Sequence, residues 1–462
     1  MKGLGAFQIA HALTSFKQRV SEAPSSYNNH IGVPLTALGM PLNSDVAVFE
    51  LGTSGPGEIH SLSSMVNPHI RVISDIQPAH LAGFSTQETA EVLKEKLQLF
   101  KSARSTDALV FNAANRGVWQ NIAGPPGIVS AQQPLWAFGT SHTLCNETLQ
   151  DLSVALPGVI AIVAVDVRCT LHLDADGGAW MPQTRFKLCW HECGQHHLSC
   201  TTSPCQASSS SGVEGGRECS ASRSVDVCLP ALGVQLASNA ALAVATACAW
   251  MSIQRNASDY DPFDASSQLT RHRIAREVMR HLETHAWWQT WKMPPGRMTM
   301  HQLNEEVIVL DDSYNANPAS MMSALKTMGD LEVACNSDVN VRRLCVLGCM
   351  AELGSKEQHY HQQAFEAVVG SHGTCAVLWG RAWGHVAVDA QPIETQPQAP
   401  QQLERIKWCG SIEDAAVTSY VLEWLTSRSS ECRRGTLNIV LLKGSRTQRV
   451  ERVLELLKTR QL

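Results

Sequence analysis

Charge of one sign is what this sequence most plainly lacks. Its 462 residues carry 37 Lys and Arg against 42 Asp and Glu, a formal net charge of −5. The small acidic surplus is spread over both halves, so no basic face is offered to nucleic acid or to an anionic membrane. By inspection, no apolar run approaches the roughly 20 residues that a membrane-spanning helix requires. No secretory leader is expected at the start. The phosphate-cradling pattern G-x-x-x-x-G-K-[ST] does not occur, and Lys2-Gly3-Leu4-Gly5 holds only its residue types. A disulfide framework is missing too. The 15 cysteines are scattered, several inside apolar runs such as LCVLGCM, which suits reduced, buried thiols and a cytoplasmic setting.

What is present reads as α/β. With 44% hydrophobic and 17% charged residues, the composition is that of an ordinary globular protein. The length predicts two or three domains. Apolar β-branched runs at Val46–Phe49, Ile70–Ile73 and Ala108–Phe111 read as strands ending in polar residues. Helical spacing of Phe7, Ile9, Ala10, Leu13 and Phe16 predicts a helix at the start. Ser85 and Glu88 predict a capping box opening a helix over Thr86–Phe100. Strands alternating with helices predict a mostly parallel sheet in a first domain, residues 1–255.

A Ser-, Cys- and Gly-rich insertion at about 186–224 has too little apolar content to bury a core. Residues 256–293 read as a linker with a helical extension. The pattern resets at Pro294-Pro295-Gly296, and a second α/β domain follows over 294–462, with strands at Val307–Asp312, Arg343–Gly348, Ala376–Gly380 and Leu437–Lys443.

Chemistry is expected at the carboxyl ends of such strands. Glu50 and His80 both fall there. They read either as oxygen and nitrogen ligands for a divalent cation or as solvated strand-end residues. Lys96, as an ammonium, has no lone pair for a metal and reads by pattern as a solvated helix residue. In LDDSYNANP the adjacent acids Asp311 and Asp312 end an apolar strand. They suit a ribose or a metal-bound nucleotide, or else an Asx-type turn capping the next helix. Lys443 and Arg446 in LLKGSR suit a carboxylate or phosphate. Cys189, His191, Cys193, His196, His197, Cys200 and Cys205 have the side chains of a zinc site without the spacing of a standard finger.

Taken in order, YNNHIGVPLTAL, VFELGTSGPGEI, PAHLAGF, KEKLQLF, FNAAN, LGVQLASNAALA, PPGRM, LDDSYNANPASM, GCMAELG and LLKGSR resemble the Mur ligases, specifically the branch that adds D-alanyl-D-alanine to UDP-N-acetylmuramoyl-tripeptide. The resemblance implies a central domain with a P-loop-NTPase-like parallel sheet and a Rossmann-like C-terminal domain. It implies ATP and Mg2+ as cofactors and an acyl phosphate as intermediate. UDP-N-acetylmuramoyl-tripeptide and D-alanyl-D-alanine are the implied substrates, and a monomer is the expected unit.

By the same resemblance, Glu50 and His80 are magnesium ligands. Lys96 joins them as a carbamate, which turns its cation into an oxygen-bearing anion. Asn28 and Asn29 line the muramoyl-peptide side. Asn239, Arg297, Asp312, Asn315 and Asn317 surround the adenine and ribose, and Lys443, Gly444 and Ser445 approach the peptide or the incoming amine.

Five departures accompany the likeness, the Ser-, Cys- and Gly-rich insertion being one of them. The family's N-terminal UDP-sugar domain and its P-loop have no counterpart in these residues. Gln235 stands where the family has a His, and Cys349 where it has an Asp. Two expectations follow, an active ligase represented here by its central and C-terminal domains, or a shortened, non-catalytic binding protein. Another ATP-dependent ligase of the superfamily is a third. The foreign insertion raises a plastid stroma as the alternative compartment.

Overall fold

The computed structural model describes residues 4–24, 26–78, 81–124, 128, 133–141, 143–144, 146–156, 159–174, 178–192, 224–255, 265–285, 287–290, 293–334, 339–371, 373–389, 405–410, 414–427 and 435–460. The helix Leu4–Ser15 leads to β1 (Val20–Glu22), which pairs in parallel with β2 (Val46–Val48). A larger sheet follows. In it β3 (Ile70–Ile73), β4 (Ala108–Asn112), β5 (Leu135–Thr140) and β6 (Ile160–Leu173) run parallel, and β7 (Trp180–Glu192) and β8 (Ser224–Leu229) continue it antiparallel. All five residues of β4, Ala-Leu-Val-Phe-Asn, are buried. A parallel strand covered on both faces reads as a continuous apolar run for this reason.

The helix Val234–Gln254 covers one face. It is apolar all round, and six alanines between Ala237 and Ala247 are fully buried, which lets the sheet and its neighbouring helices approach closely. This helix corrects the reading that no membrane-length apolar run exists. By length and composition alone its 21 residues would span a bilayer, but 83% of its most apolar window is buried within the protein. The helix Ala265–His285, in the stretch expected as linker and extension, lays Ile274, Ala275, Val278 and Leu282 into the same core.

The second domain has a six-stranded sheet in the order β14-β13-β12-β15-β10-β9. Its strands are β9 (Thr299–Gln302), β10 (Val307–Asp312), β12 (Asn340–Gly348), β13 (Thr374–Trp379), β14 (Ile406–Cys409) and β15 (Thr436–Lys443). Every pairing is parallel except that of β9 with β10. Apolar clusters lie on both of its faces.

The domains are stitched rather than merely adjacent. β11 (Glu332–Ala334) leaves the second domain and pairs in parallel with the far half of β6, Glu332 opposite Thr170. In return, Leu171 and Trp180 of the β6–β7 arm enter the second domain's core. There the Trp180 backbone N–H donates to Gln302 Oε1 at 2.8 Å and its indole N–H to the Glu305 carbonyl at 3.3 Å.

Two local expectations change. The helix expected over Thr86–Phe100 begins at Thr89 and is interrupted at Leu97, giving Thr89–Lys96 and Gln98–Lys101. The Ser85/Glu88 capping box does not form. Gln87 turns the chain at φ +53°, so Ser85 Oγ and the Thr86 N–H both donate to Glu91 instead, at 2.7 and 2.8 Å. Of the Cys- and His-rich stretch, Cys189 is buried in β7. The side chain of His191, and Cys193, His196, His197, Cys200 and Cys205, lie outside the described residues, as does most of the insertion.

Candidate functional site

Glu50 follows β2, where the strand has ended and the backbone opens toward the next helix. Asn28 Nδ2 donates to Glu50 Oε1 at 2.8 Å, orienting the carboxylate. Asn28 is fixed in turn by the Gly52 N–H, which donates to its carbonyl at 2.7 Å. A Cβ at Gly52 would lie 2.9 Å from the Asn28 side chain, so only glycine allows this approach. Asn29 has a different job. Its Oδ1 accepts from the N–H groups of Ile31 and Gly32, opening the helix Gly32–Gly39.

Lys96 ends the helix Thr89–Lys96 and donates from Nζ to the Asp75 carbonyl at 2.8 Å. The buried Glu95 before it anchors that helix. Its two oxygens accept from the N–H groups of Gly57 and Ile59, each at 2.8 Å, at the start of the helix Glu58–Val66. A carboxylate at a helix N-terminus meets both unpaired donors and a favourable dipole. His80 lies outside the described residues. Among the described residues no cluster of three or more His, Cys, Asp or Glu is poised for a metal. Glu50 does supply the hard carboxylate oxygen that magnesium prefers.

The second domain contributes the ends of β10 and β15. Lys443 is buried, and Nζ donates to Asp312 Oδ2 at 2.6 Å, to the Asp312 carbonyl at 3.4 Å and to the Asn315 carbonyl at 3.1 Å. Burial lifts the Asp312 carboxyl above the usual carboxylate range, opposed by Lys443 and Arg297. Asn315 Oδ1 accepts from the Arg446 N–H at 3.4 Å. Asn317 caps the helix Pro318–Gly329 reciprocally with Ser320, so the capping reading of this turn is realised. Ser445 is buried, its N–H donating to the Cys349 carbonyl at 3.0 Å and its Oγ lying 3.0 Å from Thr447 Oγ1.

Tyr314 joins the two clusters. Its hydroxyl lies 2.6 Å from Ser26 Oγ, two residues before Asn28. The Arg297 guanidinium lies over its ring at 4.2 Å, and that of Arg446 stands 5.9 Å from it. Gly296, at φ +68°, makes the turn that delivers Arg297, and its carbonyl accepts from the Tyr314 N–H at 2.9 Å. Burial pushes the Arg297 guanidinium below its ordinary value, while Tyr314, Glu50 and Asp312 act to raise it. Asn28, Glu50, Arg297, Asp312, Asn315 and Lys443 are therefore brought to one seam.

Asn239 stands apart from that network, on the helix Val234–Gln254. Its Nδ2 is buried with no hydrogen-bond partner among the described residues. An orphaned amide donor of this kind suits an acceptor atom supplied by a ligand such as a nucleobase. One turn earlier, Gln235 Oε1 accepts from Ser323 Oγ at 2.9 Å, crossing to the second domain. Sequence reasoning passed over Ser26, Tyr314 and Glu95. Ser26 and Tyr314 meet across 288 residues, and no local pattern announces such a pair.

Comparison with known proteins places the chain in a family. The description "Mur ligase middle domain" matches residues 5–129, and "Mur ligase, glutamate ligase domain" matches residues 296–446. The UDP-N-acetylmuramoyl-tripeptide–D-alanyl-D-alanine ligase of Bacillus subtilis is 24% identical over 355 residues, spanning 77% of this chain and 55% of that protein. The chain thus spans about half the length of the curated relatives it matches. A crystal structure of MurF from Acinetobacter baumannii shares the fold with a TM-score of 0.65 at 17% identity, covering 100% of this chain and 75% of that one. MurF ligase from Thermotoga maritima, in complex with ADP, gives 0.57 at 16% identity, covering 99% and 78%. With both of its domains matched and one architecture running through the whole described fold, this chain belongs to the Mur ligase family.

Proposed function

We propose that this chain forms the central and C-terminal domains of an ATP-dependent ligase that joins D-alanyl-D-alanine to UDP-N-acetylmuramoyl-tripeptide. One observation carries the reading. The seam holds a carboxylate oriented by Asn28, at Glu50, within the field of the half-buried Arg297, and both domains supply its walls. The names of the relatives supply the substrates.

In this reaction the terminal carboxylate of the tripeptide attacks the γ-phosphorus of ATP, and ADP leaves. The amine of the dipeptide then attacks the acyl carbon. Phosphate leaves, and the nitrogen loses a proton. The chain's residues divide the work by position. Glu50 and His80, with Lys96 as a carbamate, would hold Mg2+, which when bound neutralises phosphoryl charge. Asn239 Nδ2, with Arg297, Asp312, Asn315 and Asn317 nearby in the reading, surrounds the nucleoside. Arg297 adds positive charge where two anions must meet. Asn28 orients Glu50, and Asn29 shapes the tripeptide side through the turn it fixes before the helix Gly32–Gly39. Lys443 and Ser445 hold the strand end that faces the amine. Among the described residues the cysteines are free thiols, most of them buried, which supports a cytoplasmic setting.

A second reading is favoured by one feature. The G-x-x-x-x-G-K-[ST] pattern does not occur in the 462 residues, and the second reading is a protein that binds nucleotide without turnover. Phosphate release from ATP with both substrates separates the two. Release that requires both substrates and is abolished by Lys96→Ala supports the ligase. ADP and tripeptide binding without release supports the binding protein. Absence of both binding and release sinks both readings.

A further inference from the structure

A small apolar cluster bridges the two domains. Leu81, Phe84 and Val92 are buried in it, with Ile76 and Tyr360 packed against them. Ile76 also packs on the first domain's core and Tyr360 on the second's. The first-domain members each stand beside a residue of the candidate site. Leu81 follows directly on His80 in the chain, and the Phe84 N–H closes the turn by donating to the Leu81 carbonyl at 3.1 Å. Ile76 follows Asp75, whose carbonyl accepts from Lys96 Nζ. Val92 lies one turn before Lys96 on the helix Thr89–Lys96. The turn also reaches the Glu50 side. A Cβ at Gly83 would come within 1.7 Å of the Ser54 carbonyl oxygen, so glycine lets the turn press on the loop that follows Glu50.

Among the described residues, Tyr360 is the second domain's contribution to this cluster. It stands on the helix Glu357–Gly370. A polar contact secures the same approach, since Gln87 Oε1, just beyond Phe84 in the chain, accepts from the Ser355 N–H at 2.8 Å, just before that helix. The turn after His80 is therefore held from both domains, by packing and by a hydrogen bond.

Resting on the ligase reading above, we infer that Tyr360 is a positioning residue for the first domain's cation site. It acts through the Leu81–Phe84 turn rather than on the cation. By clamping that turn onto Ile76 and Val92, it fixes the backbone beside His80, Asp75 and Lys96. Cation affinity thereby depends on docking of the second domain. Metal ligands keep their geometry only when the residues behind them are locked by packing.

Mn2+ titration of the 462-residue chain tests this, with bicarbonate present and the free ion followed by electron paramagnetic resonance. Mn2+ takes the same oxygen ligands as Mg2+. Glu50→Gln marks the site and is expected to lose most of the binding. Tyr360→Ala is expected to weaken binding about tenfold, the usual effect of removing support behind a metal ligand. Tyr360→Phe keeps the ring and is expected to bind as the unaltered chain does. Leu457→Ala cuts a buried side chain on the opposite face of the second domain's sheet. It is expected to leave Mn2+ affinity unchanged, which separates positioning from general destabilisation. Normal binding by Tyr360→Ala, binding by Tyr360→Phe as weak as by Tyr360→Ala, or equal weakening by Leu457→Ala would overturn the inference and leave the cation site in place. No binding by the unaltered chain, or binding indifferent to Glu50→Gln, removes the cation site of the ligase reading and the inference with it.

Discussion

Tyr314 Oη and Ser26 Oγ stand 2.6 Å apart, closing the seam between the two domains at the point where Glu50 is held. Tyr314→Phe removes that bond and keeps the ring under Arg297. The expected loss of stability is about 1 kcal/mol, the net worth of one such hydrogen bond. Ser26→Ala should cost a similar amount. The double variant should cost no more than either alone, because the two groups share one bond. Urea denaturation of the three variants decides it, and strict additivity would show that the contact contributes nothing.

The pair of the buried Lys443 and the largely buried Asp312 allows a sharper prediction. Lys443 Nζ spends its donors on Asp312 and the Asn315 carbonyl and reaches no solvent. Lys443→Met leaves the largely buried Asp312 carboxyl without its partner. Breaking one side of a buried pair costs roughly 3–5 kcal/mol, whereas replacing both sides with apolar groups can be nearly neutral. Lys443→Met should therefore unfold at much lower urea, and Lys443→Met with Asp312→Leu should recover most of the loss. A double variant no more stable than the single one would mean that the pair does more than balance charge.

These relationships were unevenly legible in the sequence. Strands such as Val307–Asp312 and Ile70–Ile73 could be read because buried parallel strands are short apolar runs that end abruptly. Asp312, Lys443 and Glu50 could be singled out as polar residues at those ends. Their partners could not. Asn28 holding Glu50, Glu95 capping the helix Glu58–Val66 and Tyr314 meeting Ser26 are contacts between distant segments, set by packing. The capping box at Ser85 failed for a related reason. Gln87 adopts a left-handed turn so that its amide can meet the second domain, and that demand overrides the local signal.

That contact yields a third prediction. Gln87 Oε1 accepts from the Ser355 N–H at 2.8 Å, a cap given by one domain to a helical turn of the other. Gly354 makes it possible. Its φ is +57°, and a Cβ there would come within 2.3 Å of Gln87 Oε1. Gly354→Ala thus meets a disfavoured backbone and a clash together, at an expected cost of about 1–3 kcal/mol. Adding Gln87→Ala removes the clash and should restore part of the loss. Proteolysis between the domains should accelerate in Gly354→Ala and slow again in the double variant. Unchanged cleavage in both would show that the seam does not depend on this cap.

His361 sets a pH dependence. It is fully buried, and its two nitrogens have fixed roles. The Met350 N–H can only donate, so Nε2, 3.1 Å away, accepts. Nδ1 therefore carries the proton and donates to the Glu357 carbonyl at 2.8 Å. A charged imidazole would turn a donor toward the Met350 N–H. Burial accordingly holds the His361 pKa below its ordinary value of 6.5, against the raising influence of Glu357. Because the folded-state value is depressed, the stabilisation is complete above the unfolded value and is lost as pH falls through the folded one. Stability should therefore decline on acidification from about pH 6.5, the unfolded histidine value. His361→Gln cannot titrate, and its amide can keep one of the two bonds. It should be less stable at pH 8 and show a shallower decline between pH 6.5 and 5. His281 and His301 are shifted in the same direction, so some slope will remain in the variant. Urea midpoints for both proteins across that range settle the matter, and parallel curves would remove His361 from the account.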